Sequence, residues 1–130
     1  MNRYQDWLDQ AERERSSGSV RIISIDRDEL LAQLGAIAGR ICAAHPEVQS
    51  VRVFGSVARG DQVGTSDVDV LIVLQGAGTK DALEQIRRFY PYFDLSIGVD
   101  VLVYTEDDIA RRLQAGDPFM TQVWEESRPL

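Results

Sequence analysis

Residues 51–74 read VRVFGSVARGDQVGTSDVDVLIVL. Apolar, β-forming residues run into Gly55-Ser56, a short loop follows, and Asp67-Val68-Asp69 opens a second apolar run that ends at Leu74. Strand residues two apart point to the same face. Asp67 and Asp69 therefore present two carboxylates side by side at the edge of an otherwise greasy strand. Like charges that close raise each other's pKa, and a divalent cation removes the conflict. A hard cation with oxygen ligands, Mg²⁺ above all, suits such a pair when the substrate adds phosphate oxygens. The Gly-Ser turn offers a phosphate a backbone that can approach closely, N–H groups and a hydroxyl.

Working outward, the flanks alternate in period. VQSVRVF (48–54), VDVLIVL (68–74) and GVDVLVY (98–104) read as strands, the last two apolar enough to be buried on both faces. Upstream, Asp26-Arg27-Asp28-Glu29 resembles a capping box, with Asp26 as N-cap and Glu29 reaching back. The helix it opens carries Leu30, Leu34, Ile37, Ala38 and Ile41 and ends near His45-Pro46. Thr79–Phe89 reads as a helix stopped by Pro91. Thr105-Glu106-Asp107-Asp108 caps another, and Asp117-Pro118 opens a last one with Phe119, Met120, Val123 and Trp124. At the start, VRIISI (20–25) is a short β-like run, and residues 1–19 form a helical extension whose narrow stripe of Tyr4, Trp7, Leu8 and Ala11 needs something to pack on. The expected architecture is α/β (α+β), a small mixed β-sheet packed with helices, with a single domain over residues 20–130.

Asp100 is the third piece of chemistry. It lies between valines in an apolar strand, where an acid is costly unless paired or metal-bound. If strands 68–74 and 98–104 are neighbours, Asp100 joins Asp67 and Asp69, and three carboxylates can hold two metals for an in-line displacement. Asp67 and Asp69 are then metal ligands; Asp100 completes the site and can serve as general base. Ser56 contacts the terminal phosphates of a nucleoside triphosphate, Gly55 permits the approach, and Arg59 offsets developing negative charge.

Composition narrows the reading. At 130 residues the chain holds one sizeable core. No apolar run approaches the ~18 residues of a membrane helix, the charged start lacks a secretory signal, and the single cysteine, Cys42, reads as an inert core thiol. Together these predict a cytoplasmic protein. The net charge of −7 argues against a long nucleic acid as a direct partner, because backbone binding draws on basic patches. With one histidine in the chain, His45, a multi-histidine metal site is excluded, and His45 reads as a solvated helix end. Glu106-Asp107-Asp108 reads as helix-terminal acids, and Trp7 and Trp124 as core residues or partner anchors.

The Gly55-Ser56 turn after a strand, Asp67-x-Asp69 opening the next and the third acid Asp100 on a later strand resemble the minimal nucleotidyltransferases of the DNA polymerase beta superfamily. The resemblance spans about residues 30–105. It implies a nucleotidyltransferase fold, Mg²⁺ dependence, and transfer of a nucleotide from an NTP to a hydroxyl through Gly55, Ser56, Asp67, Asp69 and Asp100. It also implies a partner. Minimal members commonly act beside a HEPN-type helical ribonuclease toxin, which they neutralise as antitoxins, in some systems by attaching AMP. The expectation is an adenylyltransferase that uses ATP and acts on such a toxin. Two alternatives stand beside it: a non-catalytic antitoxin that binds its partner by contact, and a small-molecule (antibiotic) adenylyltransferase whose pocket a homo-oligomer would complete.

Overall fold

The computed structural model describes residues 26–60, 67–76 and 81–130. The expected N-terminal extension and the VRIISI run lie outside them. Helix α1 spans Arg27–Ala44, strand β1 Val48–Phe54, helix α2 Gly55–Arg59, strand β2 Val68–Leu74 and helix α3 Ala82–Phe89. A 3-10 turn, Tyr90–Tyr92, leads to strand β3 Val99–Thr105, followed by helices α4 Glu106–Gln114 and α5 Pro118–Glu126 and a two-residue strand β4, Arg128–Pro129.

The sheet order is β3-β2-β1-β4. β1 runs antiparallel to both β2 and β4, while β2 and β3 are parallel, which makes the sheet mixed. Strand alternation sorts the side chains into two layers. Val68, Val70, Ile72 and Leu74 join Val51 and Val53 against Leu30, Leu34, Ile37 and Ile41 of α1 and Phe89 of α3. Leu71 and Val73 face the other way, onto Ile109 of α4 and Met120 and Val123 of α5. β2 is therefore covered on both faces, as its unbroken apolar run requires. Val48 and Val51, three apart, both reach the first layer because the β1–β2 register shifts between Val48 and Ser50; such a bulge turns the strand by one residue.

Several expectations need correction. Gly55–Arg59 is a single helical turn, closed where Gly60 N–H reaches the Ser56 and Val57 carbonyls, and not a loop. Asp26 occupies the N-cap of α1, but its side chain makes no capping hydrogen bond, so the capping box does not form. The helix before Pro91 does end at Phe89, as expected, and Pro91 lies in the 3-10 turn that follows, where the missing proline N–H costs little. Among the described strands β3 lies at the sheet edge, and Asp100 is exposed, not buried among valines: Val99 and Val101 fill the α1 side, and Asp100 takes the alternate face. Cys42 is exposed, because the buried stripe of α1 ends on Ile41 and the next residue turns about 100° away. His45 is half-buried. Its ring meets Phe89 and Tyr92 edge-on, with Nδ1 2.9 Å from Arg88 Nη2 and Nε2 3.1 Å from the Tyr92 hydroxyl. β4 has no counterpart in the sequence reading; two residues carry no periodicity.

Candidate active site

Asp69 and Asp100 are direct partners in the parallel β2–β3 register, and Phe54, the last residue of β1, is the partner of Asp69 on the other side. Parallel register partners share a face, so Asp69 and Asp100 project from the sheet side that Leu71, Val73 and Leu102 continue toward α4 and α5. Asp67 precedes β2, with the Val68 N–H bonded to the Gly98 carbonyl at 2.9 Å. The site therefore forms where the hydrophobic second layer runs out, at the N-terminal ends of two adjacent strands.

Two glycines make room for the acids. Gly55 adopts φ +72°, and a Cβ there would fall on Asp69 Oδ2, nearer than real contacts come. The positive φ also disfavours any L side chain. At Gly98 a Cβ would meet Asp67 Oδ1 at 2.5 Å. Gly55 belongs to the motif; Gly98 was read only as the first residue of a strand, and its signal was its place two residues before Asp100.

The acids feel one another. Burial pushes the Asp69 carboxyl above the usual carboxylate range, and the Asp100 and Asp67 carboxylates push it further. Arg59 pulls in the opposite direction, while a hydrogen bond with Asp100 favours a shared proton. Negative charge is thus concentrated beyond what Arg59 neutralises. Asp67 and Asp100 are exposed and Asp69 is half-buried, so the cluster is open to solvent. Among the described residues, no three histidine, cysteine or acid side chains already close into a metal cage. The donor set, all carboxylate oxygens under mutual repulsion, is that of a hard divalent cation.

The other two motif residues sit on α2. Ser56 is half-buried in its first turn. Arg59 is exposed at its end, and its Nη1 donates to Glu126 Oε1 on α5 at 3.0 Å. Glu126 lies 67 residues further along the chain, and no local pattern announces it. The acidic run of α4 lies apart from this chemistry. Thr105 Oγ1 accepts from Asp108 N–H at 3.2 Å, and Asp108 pairs with Arg111 and Arg112 of its own helix.

Three neighbouring carboxylates thus gather at the starts of two strands, beside the Gly-Ser turn. Residues 34–130 match the nucleotidyltransferase domain family, and the chain belongs to it. The fold also resembles the 1.40 Å crystal structure of a Sulfolobus solfataricus protein assigned as a nucleotidyltransferase, at 25% identity and a TM-score of 0.55, covering 65% of this chain and 75% of that one. A toxin–antitoxin complex crystallised with AMP-PNP is more distant, with 18% identity and a TM-score of 0.46 over 81% of this chain and 72% of that one. At that distance neither its ligand nor its assembly bears on this chain. No curated protein matches the sequence.

Proposed function

We propose that the chain is a Mg²⁺-dependent adenylyltransferase that moves AMP from ATP to a hydroxyl of a partner protein. The observation that carries this reading is the in-register pairing of Asp69 with Asp100, beside Asp67 and against the Gly55 backbone. Asp67, Asp69 and Asp100 would hold the cation, which, when bound, supplies charge neutralisation at the phosphates. Gly55 lets the nucleotide approach the strand end, Ser56 hydrogen-bonds its phosphate oxygens, and Arg59 offsets the charge that develops on them. The acceptor oxygen forms a bond to the α-phosphorus as the bond to the bridging α–β oxygen breaks. Pyrophosphate leaves, and Asp100 takes the proton of the attacking hydroxyl.

The partner in this reading is a HEPN-type helical toxin, with the chain as its antitoxin. The resemblance of the motif to minimal nucleotidyltransferases supports it. So does the charge of −7, which complements a basic RNA-binding surface. Incubation of the chain with labelled ATP, Mg²⁺ and such a toxin is expected to label the toxin and relieve its toxicity. The Asp67→Asn plus Asp69→Asn variant is expected to do neither. Relief of toxicity by that variant would identify a contact-only antitoxin, and transfer to an antibiotic in place of the protein a small-molecule enzyme.

A further inference from the structure

The last turn of α5 is fixed beside the Gly-Ser turn more firmly than a surface helix end needs to be. Arg52, on the α5-facing side of β1, donates from Nε to Ser127 Oγ at 2.7 Å and from Nη2 to the Ser127 carbonyl at 3.3 Å. Its guanidinium also lies 4.5 Å from the centre of the Trp124 ring. Ser127 is buried, and its hydroxyl donates to the Trp124 carbonyl at 2.9 Å. Immediately beyond, Arg128 and Pro129 pair with Val53 and Arg52, and Leu130 N–H reaches the Val51 carbonyl at 3.0 Å. Residues 124–130 are thus stapled across β1, whose next residue is Gly55.

Glu126 stands in the middle of this staple. Its Oε1 accepts from Arg59 Nη1 at 3.0 Å and from Gln122 Nε2, one turn earlier on α5, at 3.2 Å. Its side chain is only 20% exposed, against 44% for Arg59. The carboxylate is therefore the anchored partner and the guanidinium the long, entropy-rich one. An arginine held at one nitrogen loses rotamer freedom before a ligand arrives, which lowers the ordering cost of binding. Arg59 is also the cation felt at Asp69, so its placement matters to the acid cluster itself.

We infer that Glu126 is a positioning residue of this site: it holds the Arg59 guanidinium at the edge of the carboxylate cluster, ready for the phosphates of a bound nucleoside triphosphate. The inference rests on the nucleotide-binding reading above. It extends the site to α5, which the Gly-Ser and Asp-x-Asp motifs do not reach.

Titration of ATP with Mg²⁺ into the full chain tests it, with a thermal melt of every variant. Removing the anchor in Glu126→Ala is expected to weaken binding about fivefold, the scale of a partly exposed charged pair. Glu126→Gln keeps an oxygen for Arg59 and is expected to stay within about twofold of the unaltered chain. In an Arg59→Ala background, adding Glu126→Ala is expected to change nothing further, since the two act as one unit. If Glu126→Ala melts early, Glu126→Asp shortens the reach while keeping the charge, and is expected to show the same weakening. Unchanged or tighter binding in Glu126→Ala or Glu126→Asp, or additive losses in the double variant, would overturn the inference alone. Failure of the unaltered chain to bind ATP with Mg²⁺ would overturn the underlying reading and this inference with it.

Discussion

Asp69 and Asp100 face one another across two parallel strands, and the fold places Asp69 where burial begins to penalise charge. An arrangement that raises a carboxyl's pKa costs the empty protein stability and favours whatever cation relieves it.

In the absence of divalent ions, Asp69→Asn is expected to stabilise the protein by about 0.5–1 kcal/mol, because solvent screens much of the repulsion at a half-buried group. With millimolar Mg²⁺ the order is expected to invert, because only the unaltered chain gains from binding. Thermal melts with EDTA and with Mg²⁺ compare the two. A variant less stable than the parent in EDTA would count against the mutual repulsion.

Gly55→Ala is expected to lose about 2 kcal/mol or more of stability, since it combines a strained positive φ with a side chain placed on the Asp69 carboxylate. Gly98→Ala crowds only the Asp67 side chain, and Gly98 carries no positive φ. It is expected to cost less stability while still disturbing Mg²⁺ binding. Urea unfolding of both, beside a Mg²⁺ titration, separates backbone strain from displaced ligand.

Arg52→Ala removes two hydrogen bonds to Ser127 and the stacking on Trp124. A loss of about 2–3 kcal/mol is expected, with the Ser127 hydroxyl and carbonyl left under-satisfied. Hydrogen exchange is expected to quicken at Leu130 and along the last turn of α5 while the α1 layer keeps its protection. Uniform quickening throughout the chain would argue against a local staple.

At Asp108, burial alone would raise the carboxyl, but Arg112 and Arg111 outweigh it and hold it below the ordinary range. A depressed pKa adds stability that is present above the ordinary carboxylate value and lost as pH falls through the folded one. Asp108→Asn is therefore expected to cost about 0.5 kcal/mol at neutral pH, the scale of a half-buried helix-terminal acid paired with two partly exposed arginines. The cost is expected to fade below about pH 3. Urea midpoints at the two pH values give the difference directly.

The fold was legible where periodicity is strong. Val48–Phe54, Val68–Leu74 and Asp117-Pro118 mark their elements through apolar runs or a proline at a helix start. What escaped depends on neighbours far along the chain. A strand such as VDVLVY has the same pattern at an edge as at a centre, so the exposure of Asp100 became visible only with the strand order. Cys42 belongs to the apolar composition of α1, yet a single step past Ile41 carries it off the buried stripe. In the candidate site, the Gly-Ser turn and the acids are written locally. Glu126 and the β4 staple are not, because they reach β1 and α2 from the opposite end of the domain.

The mixed direction of the sheet bears on how the site comes apart. Asp67 and Asp69 are neighbours in any conformation of the chain. Asp100 joins them only when β3 pairs with β2, which among the described strands is its one hydrogen-bonded neighbour. Edge elements with one partner open at lower free energy than the core. Fraying of β3 would therefore dissolve the triad into a two-carboxylate pair while β1 and β2 stay zipped, and a ligand that bridges Asp69 and Asp100 would act as a clasp on β3.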